Sequence, residues 1–210
     1  MNSVRRYFMA RRSDHTREEL KDLIVNTSWE IIDEKGFEGL TARNIAKEIG
    51  YAPGTIYNLF GSLDDLYLEL NGRTLDLLYD VLSAPACADP KKTPIQNMKT
   101  MALHYMNFAQ DHRPHWLMLF NLRVTQNRSD AQWYHEKVEK LFEPLSKLLE
   151  PFFDKARNKE KQLAARVLWS SVHGLCFLQE TGKISVVSND KAASKMADYL
   201  IDTFMAGIEK

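Results

Sequence analysis

The chain has 210 residues, 28 basic against 28 acidic side chains and 44% hydrophobic residues, so it can bury a core without staples and is not globally disordered. Two cysteines, Cys87 and Cys176, make no disulfide framework and no CxxC pair, which points to a reducing, cytoplasmic setting. The longest apolar run, Trp116 to Phe120, is far short of a bilayer span, and the basic N-terminus has no apolar stretch after it, so neither a membrane nor a secretory route is expected.

Zero net charge ordinarily argues against a nucleic-acid partner. Charge is a local quantity, however. Arg5, Arg6, Arg11 and Arg12 precede the first acid, whereas residues 1–62 as a whole hold nine Lys/Arg and nine Asp/Glu. The arginine tail reads either as a solvated arm or as a clamp that orders on DNA.

Apolar residues recur at three- and four-residue steps and no alternating strand pattern is sustained, so the fold class is all-α, with about nine helices. Thr16 followed by Glu19 is a capping box, and Leu20, Leu23, Ile24, Thr27, Ile31 and Ile32 give a buried stripe, which predicts a helix over 17–35 ending at Gly36. Thr41 caps a second helix, with Leu40 placed to staple against Ile45, that runs to Gly50. A third, short helix fits between Pro53 and Phe60-Gly61, and Ser62 caps a fourth that runs to about Leu82. Residues 83–94 have loop composition. Helices are then expected at 95–112, 115–122, 130–155, 159–182 and 190–208. Pro114 separates the first two, Pro144 and Pro151 kink or split the third, Gly182 ends the fourth and Asn189 caps the last.

The segment from Leu40 to Phe60 has helix-turn-helix mechanics. Ala46 lets a helix cross closely, Gly50 allows the tight turn, and Ile45, Ile49, Ile56 and Leu59 close a small core. Thr55, Tyr57 and Asn58 then face outward on the third helix, the arrangement of a major-groove reader.

On Gly36-Phe37, Thr41 to Ala46, Gly50 and Gly54-Thr-Ile-Tyr-Asn-Leu-Phe60 the chain resembles the TetR family of bacterial transcriptional regulators over residues 17–66. One position departs: Leu63 stands where many members carry a phosphate-binding lysine, leaving backbone N–H groups of that helix start as the anion donors. The resemblance implies that Thr41, Arg43 and Tyr57 hold phosphates while Tyr51, Ala52, Pro53 and Thr55 face base edges of double-stranded DNA. Thr41 can serve as cap and contact at once. One such module is too small for tight selective binding, so two copies on a palindromic operator are expected.

Three segments follow from this reading: a basic arm at 1–13, a DNA-binding domain at 14–61, and an effector-binding and dimerisation domain at 62–210. In the last, Trp169-Ser-Ser-Val-His173-Gly174 resembles the Trp-x-x-x-His-Gly signature of one TetR subgroup, and Trp169 and His173 share a helical face. Ala164, Ala165, Leu168, Ser171, Val172 and Leu175 on one terminal helix, with Ala192, Ala193, Met196, Tyr199, Leu200 and Phe204 on the other, read either as a homodimer interface or as intramolecular core. The middle of the chain is rich in aromatic and methionine residues. An apolar or aromatic small-molecule effector is expected against His104, Tyr105, Phe108, Trp116, Phe120, Trp133, Trp169, His173 and Phe177, with core packing the alternative for any one of them.

No cofactor and no resident metal are expected. A metal sensor built on His104, His112 and His115 is the competing regulator, and a ligand-independent regulator or an activator also fits. A helical enzyme lacks every phosphate-loop, GxSxG or HExxH signature, although Cys176 lies three residues from His173. Local neutrality predicts modest non-specific DNA affinity and reliance on shape, hydroxyl contacts and dimer spacing.

Overall fold

The computed structural model describes residues 15–120, 131–187 and 193–208, and every regular element among them is helical, as the periodicity predicts. The arginines of the 1–13 arm and the Asn189 cap lie outside the described residues. Two compact units divide between Leu66 and Tyr67.

The first unit is built from α1 (Arg17–Lys35), α2 (Ala42–Ile49) and α3 (Gly54–Phe60), followed by the start of α4 (Leu63–Leu82). The capping box forms: the Thr16 hydroxyl accepts from the Glu19 N–H at 3.2 Å and the Glu19 carboxylate accepts from the Thr16 N–H at 2.7 Å. Accepting from that N–H and from the Thr16 hydroxyl holds the Glu19 carboxyl below the ordinary range. Ile24, Ser28, Ile31 and Ile32 form the buried face of α1, while Leu20, Leu23 and Thr27 are half-buried at its edge. Against that face pack α2 and α3. Ile45, Ala46, Ile56 and Leu40 are buried with them, so the expected small core exists, although Ile49 and Leu59 sit half-exposed at its rim. Gly50 ends α2 at φ 74°, ψ 27°, the left-handed region that a residue with a Cβ enters only under strain, and it makes the tight turn possible.

The second unit contains the rest of α4, then α5 (Pro94–Asp111), α6 (Arg113–Met118), α7 (Gln132–Lys140), α8 (Glu143–Leu149), α9 (Asn158–Glu180), α10 (Ile184–Val187) and α11 (Ala193–Ile208). Thr93 and Gln96 form a second capping box, with Pro94 in the first turn where its missing N–H costs nothing. The helix expected at 115–122 begins earlier, at Arg113, for the same reason: Pro114 opens α6 and does not sit in a gap before it. The span 130–155 divides into α7, α8 and a 3-10 turn at Glu150–Phe152, with Pro144 and Pro151 each in a first turn.

Helix α5 is the centre of this unit and packs on α8, α9 and α11. Its buried row is Met98, Met101, Ala102, Tyr105, Met106, Phe108 and Ala109. Of the two readings left open for the terminal helices, the named residues that are described fit intramolecular core, while Ala192 lies outside the described residues. Ala164, Ala165, Leu168 and Val172 on α9, with Ala193 on α11, are buried within one chain, and α9 packs on α11. Tyr199 is the exception, 75% exposed. A different row of α9 remains open: Leu163 is 62% exposed and Val167 43%, and Ser170 and Gly174 continue that face.

Candidate nucleic-acid interface and effector site

In the first unit the side chains expected to meet DNA divide by burial. Thr41 is exposed and caps α2, its hydroxyl oxygen accepting from the Asn44 N–H at 3.2 Å, which leaves its own proton available to an acceptor outside the protein. The Asn44 amide donates to the Gly39 carbonyl at 2.8 Å and so fastens the entry to α2. Arg43 is exposed and makes no hydrogen bond or ion pair with a described residue. Lys35, by contrast, is engaged with Glu48 at 3.5 Å. Pro53 stands at the N-cap of α3 in αR geometry, one position earlier than the helix proper, and Ala52, Pro53, Tyr57 and Asn58 are exposed while Thr55 is half-buried.

Tyr57, at 47% exposed, is held one position from the fully buried Ile56, so the rigid side of α3 fixes the open side. Tyr51 is different: half-buried, its hydroxyl lies 2.9 Å from Nδ1 of His15. Sequence reasoning missed His15, because no local pattern announces a partner 36 positions away.

The start of α4 carries its own anions. The Ser62 hydroxyl donates to the Asp65 carboxylate at 2.6 Å and accepts from the Asp65 N–H at 3.2 Å, and Asp64 shares the first turn. Where the lysine is replaced by Leu63, the helix dipole is already matched by two carboxylates. That opposes the phosphate contact expected from the backbone there.

In the second unit six of the nine expected effector residues meet in one aromatic cluster. His173 lies at its centre, stacked on Trp169 with centroids 5.1 Å apart and an interplanar angle of 16°. Phe120, Trp116, Phe177 and Tyr105 have ring centroids 4.3, 5.1, 6.2 and 6.3 Å from the imidazole. A hydrogen-bond chain threads it: the Trp116 indole N–H donates to the Tyr105 hydroxyl at 3.2 Å, and that hydroxyl lies 2.8 Å from His173 Nδ1. Burial pushes the Tyr105 phenol above its ordinary range and holds the His173 imidazole below its own, so both are neutral near pH 7.

The other three expected residues stand apart. Trp133 packs over Gly72 of α4, where an added Cβ would come within 2.7 Å of its ring, so the absent side chain at residue 72 makes room for the indole. Phe108 is buried beside His112, and His104 is half-buried with no resolved polar contact. Phe142, absent from the expected set, joins by stacking edge-on to Trp169 at 5.6 Å, with the Arg166 guanidinium over its ring at 4.8 Å from the centroid.

Tyr105 and Trp169 also line an apolar cavity of about 40 Å³ with Leu82, Met98, Met101 and Leu168 among its walls. It holds a few water-sized spheres and no drug-sized molecule. The i, i+3, i+4, i+7 row of Met98, Met101, Ala102 and Tyr105 was the sequence signal for this wall.

His104, His112 and His115 do not converge: among the described residues no group of three His, Cys, Asp or Glu could hold a metal ion. The Cys176 thiol is buried and pushed up to about 12, first by burial and then by Glu180, which favours the protonated thiol near pH 7. Among the described residues no helix is long and apolar enough to cross a membrane.

Comparison with known proteins agrees with this architecture. Residues 24–70 match the family described as bacterial regulatory proteins, tetR family, and residues 98–204 match the tetracyclin repressor-like C-terminal domain. The chain is 25% identical over 171 residues to the HTH-type transcriptional regulator PksA of Bacillus subtilis (strain 168), covering 80% of this chain and 82% of that one. Its fold is similar to that of a transcriptional regulator from Rhodococcus sp. Rha1, with a TM-score of 0.67 at 19% identity over 90% of this chain and 98% of that one. It is also similar in fold to the multidrug binding protein EbrR, solved in complex with imidazole, with a TM-score of 0.60 at 20% identity over 89% of this chain and 94% of that one. The chain belongs to the TetR family of bacterial regulatory proteins and is a DNA-binding transcriptional regulator.

Proposed function

We propose that the protein is a homodimeric repressor that binds a palindromic operator and releases it when a small apolar or aromatic molecule occupies the second unit. The observation that carries the DNA half is the exposed set Thr41, Arg43, Tyr57 and Asn58 on two helices held rigid by Ile45, Ala46 and Ile56. Arg43 and the two hydroxyls position the phosphates, while Ala52, Pro53 and Thr55 meet base edges. Tyr51 reaches DNA together with His15, which orients its hydroxyl.

The dimer forms through the open face of α9, with Leu163, Val167, Ser170 and Gly174, and through Tyr199 of α11; the alanine rows of those helices serve the intramolecular core. The effector site gathers around Tyr105 and Trp169, which belong to both cavity and aromatic cluster. Admitting a ligand requires the flexible Met98 and Met101 side chains to repack, a motion thioether side chains make at low cost. That a protein of this fold is a multidrug binding protein supports the reading. Helix α4 crosses the division at Leu66 and Tyr67, so strain from an occupied site has a covalent route to the reader. A coupling of about 1–3 kcal/mol, or 5- to 150-fold in operator affinity, is typical of such a link.

The test is selection of bound fragments from a random DNA pool. The expected product is a two-fold symmetric sequence with half-sites about one helical turn apart, bound by two protomers. An unsymmetrical consensus bound by one chain would contradict the proposal.

A further inference from the structure

The aromatic cluster carries a chemical preference that its apolar composition hides. Tyr105 is 3% exposed, and its hydroxyl oxygen receives the Trp116 indole N–H, a group that only donates. The hydroxyl proton must therefore go to an acceptor, because a buried O–H left unmade is costly. Among the described residues the acceptor at 2.8 Å is Nδ1 of His173. An imidazole whose Nδ1 accepts carries its single proton on Nε2. Adding a second proton would set an N–H against the Tyr105 O–H, which agrees with the lowered affinity of this imidazole for protons.

His173 is thus held as one neutral tautomer. Among the described residues its Nε2 has no hydrogen-bond partner, and it is not one of the buried unpartnered polar atoms, so the N–H is uncommitted to any described residue. Around it stand Trp116, Phe120, Trp169 and Phe177; Phe120 is 37% and Phe177 40% exposed. The charges closest along α9, Arg166 and Glu180, each seven positions away, are answered by Glu139 and by Arg113, whose guanidinium also donates to the Glu180 carbonyl.

The geometry points to a binding site for a neutral, planar aromatic molecule that presents one hydrogen-bond acceptor, a ring nitrogen or carbonyl oxygen, to His173 Nε2–H. The rings supply stacking surface and the fixed N–H supplies direction. A cation meets an outward N–H instead of an acceptor. Among the described residues around His173 an anion finds no uncommitted positive charge. This inference deepens the effector reading by naming the ligand chemistry, and it rests on that reading only for its regulatory consequence. Tyr105 is a positioning residue in it, acting through His173.

Quinoline and naphthalene have the same shape and differ in one ring nitrogen, so equilibrium dialysis of each against the full-length protein in excess isolates the acceptor. The ratio of quinoline to naphthalene retention should fall about fivefold in His173→Phe, the contribution of one neutral hydrogen bond. It should fall partway in Tyr105→Phe, where the imidazole is free to change tautomer. An unchanged ratio in His173→Phe, or wild-type protein that retains neither probe, overturns the site.

Nitrogen NMR of His173 in the wild-type protein keeps the claim testable if the variants do not fold. An Nε2-protonated neutral ring whose N–H resonance moves with quinoline and not with naphthalene supports it; an Nδ1-protonated ring, or no movement, overturns it. Operator affinity measured with quinoline bound separates the two readings. Binding with unchanged operator affinity leaves the site standing and removes its role as an effector site.

Discussion

The two units solve opposite problems with the same element. In the first, short capped helices bury Ile45, Ala46 and Ile56 so that Arg43 and Tyr57 beside them stay exposed, with no side-chain partner among the described residues. In the second, the residues of interest turn inward and satisfy one another, as Trp116, Tyr105 and His173 do along one chain of hydrogen bonds. A surface that must meet a ligand as large and charged as DNA needs rigid backbone and free side chains. The small-molecule sensing proposed for the second unit needs a closed interior with something loose in it, here the methionines of α5. The contrast says where each unit is vulnerable: the first in its few core side chains, the second in its polar chain.

Four changes press on that contrast, from the largest expected effect to the smallest. Leu163→Glu places a carboxylate on the open face of α9 and should cost the dimer about 3–5 kcal/mol, the scale of an uncompensated charge in an interface. On the proposed dimer, sedimentation should show wild-type pairs and Leu163→Glu monomers at the same concentration, with each chain still helical. Ile56→Ala empties the middle of a small core and should destabilise the first unit by about 2–5 kcal/mol, seen as loss of operator binding while the second unit keeps its near-ultraviolet signature.

Tyr105→Phe leaves the shape and removes the hydroxyl, so the Trp116 N–H and His173 Nδ1 both lose a partner. About 1–3 kcal/mol of stability should be lost in chemical denaturation, with operator affinity in the absence of effector unchanged. The smallest effect is one of pH. His173 titrates lower in the folded chain than its unfolded value of about 6.5, so the unfolded state binds more protons in that window. Stability is full above about pH 6.5, falls as the pH drops toward the folded value, and is flat below it. Denaturation midpoints in His173→Phe should show a shallower acid slope than the wild type.

Much of the first unit is legible from sequence because its determinants are local. Thr16 with Glu19, Thr41 with its helix, and Gly50 at its turn each act within a few residues, and the structure has all three. What sequence could not show is the long-range pairing of His15 with Tyr51, or that Ser62 fastens Asp65 at the start of α4, where Asp65 and Asp64 supply the negative charge. In the second unit residue type was informative and register was not. Tyr105, Trp116, Phe120, Trp169, His173 and Phe177 converge because three separate helices and the turn after α6 present them, whereas Trp133, equally aromatic, is drawn to the bare surface of Gly72. The alanine rows of α9 and α11 were readable as close-packing faces, but whether the second helix belonged to the same chain or to another depended on tertiary contacts.

The measurement that bears most directly on the account is the salt dependence of operator binding by the wild type and by Arg43→Ala. If Arg43 is a cation through which this neutral chain grips phosphate, the variant binds more weakly at every sequence and its log–log slope against salt is shallower by about one. Equal affinity and an equal slope in the two proteins would contradict the assignment of α2 and α3 as the DNA-reading surface.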